Sequence, residues 1–123
     1  GNSVIVDATF ASRLKRVNFR CLAEEEGANV IFVECCCPYS VLRTRLTKRR
    51  GRKLITDARL QHLEALCQTF EPLTELPAAN HLKIKTDQPF QQSLQEVFSA
   101  AHVLQAEQAR ESLSFHGKND AKE

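Results

Sequence analysis

Val30-Ile-Phe-Val33, running on through Glu34 into Cys35, Cys36, Cys37 and then Pro38, decides the reading of this chain. Four consecutive apolar residues, three of them β-branched, are too few for a helix and read as a strand buried on both faces. Proline is tolerated in the first turn of a helix, so Pro38 opens one of roughly 38–50, with Val41, Leu42 and Leu46 facing inward. Upstream, Ser12 can cap a helix of roughly 12–26 carrying the stripe Leu14, Val17, Cys21 and Leu22, and Gly27 supplies its stop. Further back, Ser3-Val-Ile-Val6 is a second buried strand, closed by Asp7.

Downstream, Thr56 or Asp57 caps a helix of roughly 57–69 with Leu60, Leu63, Leu66 and Phe70 at helical spacing. Residues 71–80 hold two prolines and no periodicity, which predicts a loop. Leu82-Lys-Ile-Lys-Thr86 alternates and gives a third, less buried strand. A last helix of roughly 89–111 sets Phe90, Leu94, Val97, Phe98, Ala101 and Leu104 on one stripe. Strands separated by helices, two of them apolar throughout, predict an α/β fold: three α/β/α layers around a mainly parallel sheet. The domain is expected over residues 1–113, with 114–123 a flexible polar tail.

At 123 residues the chain is one domain by length, and 42% apolar with 26% charged residues is an ordinary soluble composition. Its apolar runs fall far short of the ~20 residues that span a bilayer. With no signal peptide either, the expectation is a cytoplasmic protein without membrane contact. Five cysteines fit no usual disulfide framework or zinc spacing and read as reduced thiols. The net charge of +2 hides an asymmetry: residues 1–60 carry 12 Lys/Arg against 6 Asp/Glu, residues 61–123 carry 5 against 9. Much of the excess is Lys48-Arg-Arg-Gly-Arg-Lys53, which attracts phosphate or forms a solvated face.

In open parallel sheets the binding crevice lies at the carboxyl ends of the strands, here Asp7, Cys35 to Cys37, and Thr86-Asp87. Asp7 can take a proton from a substrate hydroxyl or hold a metal-bound water; capping a turn is the alternative. The helix with Arg43, Arg45, Arg49 and Arg50 places 45 and 49 on one face. Guanidinium groups there, beside the basic loop, suit a mobile cover that clamps transferring phosphates.

Taken in order, Val4-Ile-Val-Asp-Ala-Thr-Phe10, an arginine-bearing helix, Val30-Ile-Phe-Val-Glu-Cys35, the segment from Pro38 through Arg45-Leu-Thr-Lys-Arg49, and Thr56-Asp-Ala-Arg59 resemble one family. It is the P-loop kinases related to zeta toxins, polynucleotide 5′-kinase and gluconate kinase, which include AAA-type ATP-binding domains. The resemblance covers about residues 1–105. It implies an ATP- and Mg²⁺-dependent phosphotransferase acting on a hydroxyl of a small molecule or nucleotide. Asp7 would assist the metal and activate the acceptor hydroxyl. Arg45 and Arg49 match the start of the lid, and Arg50 and Arg52 continue its basic loop towards the nucleotide. Thr86 and Asp87 match the segment near the adenine, while Arg13 and Arg16 lie where the family has substrate-side or structural basic residues.

One departure stands against these matches. The family's phosphate loop is Gly-x-x-x-x-Gly-Lys-Ser/Thr, whose amides cradle the phosphates. Glycines here fall only at 1, 27, 51 and 117, and none starts that motif. The expectation is therefore a shortened form, either a fragment or a naturally reduced relative, that is inactive by itself. A strand missing between those of Val4 and Val30 would leave edges to pair with each other or with a second copy, giving a homodimer. The rival expectations are a non-catalytic module holding nucleic acid or an acidic partner through basic residues 43–59, and a dimerisation domain. Against nucleic acid, the basic block has no interleaved aromatics.

Overall fold

The computed structural model describes residues 2–48 and 57–116, and the chain forms two compact units. The first is made of residues 1–28 and 43–76, the second of residues 29–42 and 77–123, so each is assembled from two separate stretches.

In the second unit, β1 (Phe32–Cys36) pairs in parallel with β2 (His81–Lys85), in a register running from Phe32 opposite His81 to Cys36 opposite Lys85. Parallel neighbours require a long crossover, and the sequence between them carries α2 (Tyr39–Lys48) and α3 (Asp57–Thr69). The ladder continues one step beyond β2, where the Thr86 N–H donates to the Cys36 carbonyl at 2.8 Å. Phe32 and Ile84 are the buried apolar residues among those described. β2 thus contributes to the core equally with β1, where alternation alone predicted a lesser share.

β1 begins at Phe32, two residues later than expected, because Val30 precedes the ladder and its carbonyl instead accepts the Asn80 side-chain amide at 2.8 Å. Asn80 ends a short 3-10 turn, Ala78–Asn80, inside the expected loop. α4 (Phe90–His116) packs against β2 through its half-buried residues, among them Val97, Ala100, Ala101 and Leu104. The predicted stripe divides: Phe90, Leu94 and Phe98 are exposed. The helix runs five residues past its expected end, to His116, and residues 117–123 lie outside the description.

The first unit holds α1 (Arg13–Glu25), α3, the later part of α2 and the stretches before α1 and after α3. Gly27 ends α1 as predicted. Its φ of +65° is left-handed, the Gly27 N–H donates to the Glu24 carbonyl and the Ala28 N–H to the Ala23 carbonyl, the paired bonds of a Schellman stop. The predicted cap is corrected. Ser12 occupies the N-cap position but its side chain makes no capping bond; the Glu71 carboxylate accepts the Arg13 N–H instead.

Two further expectations change. Ser3–Val6 forms no strand, and Ile5 is 96% exposed, because among the described residues the sheet consists of β1 and β2 and gives this run no partner for its backbone. Most of the apolar stripe of α1 is turned outward, with Leu14, Cys21 and Leu22 exposed and Val17 half-buried, while Arg16 is the residue the helix buries. Polar partners for Arg16 set the rotation of this helix. On α2, Val41 and Leu42 are half-buried as expected but Leu46 is exposed. On α3, Leu63 and Phe70, just past its end, are half-buried and Leu66 is exposed; the Leu60 side chain lies outside the description.

Candidate functional site

The first unit carries Asp7, Arg13 and Arg16. Asp7 lies in a stretch that is neither strand nor helix and is exposed. Three residues on, Phe10 takes a φ of +41°, an unusual conformation for a bulky residue. The Phe10 ring meets Phe19 edge-on, centroids 5.2 Å apart, and the Phe10 carbonyl accepts Arg16 Nη1 at 2.7 Å.

Arg16 is 0% exposed and every arm of its guanidinium is engaged. Nε donates to Glu75 Oε1 at 2.5 Å, and Nη2 reaches the Pro72 carbonyl at 3.2 Å and Glu75 Oε2 at 3.3 Å. Its Cζ lies 5.9 Å from the Phe70 ring centre. A buried charge survives only when paired and hydrogen-bonded, and this one is paired with a carboxylate whose side chain is itself 4% exposed. The bond from Arg16 holds the Glu75 carboxyl below its ordinary pKa, against the opposing effect of burial. These bonds tie Arg16 to the Phe10 turn and to the loop of Pro72 and Glu75. Arg13 is exposed and ties its backbone N–H to Glu71, whose own N–H donates to the Ala11 carbonyl at 2.9 Å.

Sequence reasoning missed Phe10, Glu71 and Glu75. Two carboxylates in a proline-bearing loop were the available signal, but their partners lie 58 and 59 positions away and no local spacing joins them.

The second unit brings together the expected carboxyl ends of its strands. Cys36 and Thr86 meet there, with the Thr86 hydroxyl 3.3 Å from the Cys36 carbonyl, and Asp87 follows exposed. Along the same face of β1, Glu34 accepts His81 Nε2 at 2.8 Å and lies 3.7 Å from Lys83 Nζ. Burial, and then the nearby Glu34 carboxylate, push the Cys36 thiol above its ordinary pKa, which disfavours the thiolate. The five cysteines are free thiols, Cys21, Cys35 and Cys67 exposed. Arg43 and Arg45 are exposed on α2; Arg49, Arg50 and Arg52 lie outside the described residues.

Among the described residues the chain is α/β with a parallel strand pair, an exposed Asp7 near its start and the exposed Arg43 and Arg45 on α2. A family model described as AAA domain matches residues 1–73, more than half of the chain, and the chain belongs to that family. The match includes Asp7 and all the arginines considered above, while β2 and α4 lie beyond it. No curated protein and no solved structure matches the chain.

Proposed function

We propose that this chain carries the acceptor-side and lid segments of an ATP-dependent phosphotransferase whose full form transfers a phosphoryl group to a hydroxyl of a small molecule or nucleotide. The observation that supports this is the AAA domain match, which runs from the Asp7 segment through the basic lid region. Asp7 would serve as general base or magnesium helper, with Arg49 and Arg45 clamping phosphate charge.

The residues present fit Mg²⁺ bound together with nucleotide phosphates. Mg²⁺ takes one or two carboxylates plus phosphate and water rather than a protein cage. Asp7, exposed and carboxylate-bearing, is the group that would meet it. ATP bound with that ion would supply the transferable phosphoryl group. The 123 residues contain no Gly-x-x-x-x-Gly-Lys-Ser/Thr cradle, so this chain alone is expected to turn over negligibly. Thr86 and Asp87 remain candidates for the adenine side.

Calorimetric titration of ATP and ADP, with and without Mg²⁺, on the chain and on Asp7→Ala and Arg49→Ala variants tests the reading. Saturable binding weakened by both substitutions supports it. No binding at millimolar nucleotide sinks the idea of a working nucleotide site in this chain and leaves a fragment or a repurposed fold. Nucleic-acid binding that falls steeply with salt, without nucleotide binding, would favour the module reading of residues 43–59. Self-association through a sheet edge belongs to the same proposal, because among the described residues the sheet has two strands, so each is an edge strand, and edges invite further strands; a monomer by sedimentation at all concentrations would remove it.

A further inference from the structure

Left-handed backbone at a bulky residue is strained and persists where the surroundings over-determine it. At Phe10 three restraints converge: the ring edge on Phe19, the carbonyl on Arg16, and the next carbonyl, that of Ala11, on the Glu71 N–H. All three partners lie outside the turn, and Arg16 links that turn to Pro72 and Glu75 in the distant loop. Holding α1 against that loop needs no buried ion pair, since apolar side chains of similar size do so without the desolvation cost. What an apolar side chain cannot do is grip a backbone carbonyl on each side while a carboxylate fixes the guanidinium plane.

Asp7, Ala8 and Thr9 are exposed and lie in neither strand nor helix, so the anchored turn immediately downstream sets the course on which they leave it. We infer that Arg16 and Glu75 form a clamp that fixes the left-handed turn at Phe10 and thereby the bearing of Asp7, making Arg16 a positioning residue for Asp7 and not a substrate ligand. The link to Asp7 chemistry rests on the phosphotransferase reading above; the clamp itself does not.

Arg16→Lys separates the parts. Lysine keeps the charge and can still meet Glu75, but it lacks the planar fork that serves Phe10, Pro72 and Glu75 together. By NMR on the whole chain, Arg16→Lys is expected to lose the contacts between the Phe10 and Phe19 rings and the left-handed coupling at Phe10, while the β1–β2 cross-strand contacts persist. Phe10 signals unchanged from the parent chain would overturn the clamp. Should Arg16→Lys also lose the cross-strand contacts, Glu75→Gln, which keeps size and one acceptor oxygen, is read the same way.

The positioning role is read from nucleotide affinity measured with and without Mg²⁺. Arg16→Lys is expected to lower the Mg²⁺-dependent gain about tenfold, a usual size for coupling between sites, and to leave Mg²⁺-free affinity unchanged. Asp7→Asn should do the same, and the double variant should be no worse than either single. A Mg²⁺-dependent gain that survives Arg16→Lys overturns positioning. A parent chain with no such gain overturns a nucleotide site in this chain instead, and the clamp then stands or falls by the Phe10 signals.

Discussion

Arg16 and Glu75 form an ion pair at 2.5 Å across 59 positions of sequence, and both side chains are closed to water. Removing one partner strands the other as an uncompensated buried charge, which costs about 3–5 kcal/mol. Arg16→Ala and Glu75→Ala are each expected to destabilise the chain by about that much, and the double variant by less than their sum. Urea denaturation of the four proteins checks this; strictly additive losses would show that the pair is not coupled.

The same pair sets an acid limit. Because Arg16 holds the Glu75 carboxyl below its ordinary pKa, the folded state favours the ionised form. This stabilisation is complete above the unfolded-chain value of about 4.3 and is lost as pH falls through the lower folded value. Glu75→Gln should therefore flatten the acid side of the stability profile and leave its slope near neutrality unchanged. Denaturation midpoints across the acid range measure it.

Cys36 carries the opposite sign. Burial raises its thiol, so the folded chain favours the neutral form, and this contribution declines as pH rises from the ordinary thiol range toward the raised folded value. In the native protein Cys36 should be alkylated more slowly than exposed Cys21 and Cys67, with its rate rising at higher pH than theirs. Iodoacetamide labelling followed by peptide mass spectrometry gives the three rates; equal rates would refute the shift.

At Gly27 a methyl group would meet nothing within 4 Å, so only the backbone opposes substitution. With φ at +65°, Gly27→Ala is expected to cost about 1–2 kcal/mol. Gly27→Asn should cost less, because asparagine tolerates this conformation. Thermal melts of the two variants distinguish a backbone cause from a packing one.

The elements that carry their own period were legible in sequence. The helix around Val41 and Leu42, the helix stop at Gly27 and the parallel strands around Phe32 and Ile84 all follow from short-range pattern and turn chemistry. What could not be read was anything decided by distant partners. Ser12 looks like a cap, yet Glu71 does the capping; Leu14 and Leu22 look like a core stripe, yet Arg16 chooses the buried face. Ser3–Val6 has strand composition, but composition cannot supply a neighbour. Of the candidate site, Asp7 was identifiable as an acid closing an apolar run, whereas the turn at Phe10 that anchors its segment had no signature at all.

The pairing of Glu34 with His81, 47 positions later, has a bearing on how the chain is made. Each unit waits for its second stretch, so neither can close while only the first has left the ribosome. At roughly 5–20 residues per second, β1 emerges several seconds before the strand that completes it. During that interval Val33 and Ile31 are without their final neighbours, and the nascent chain is most open to chaperones, or to a sister chain on the same message, at that point.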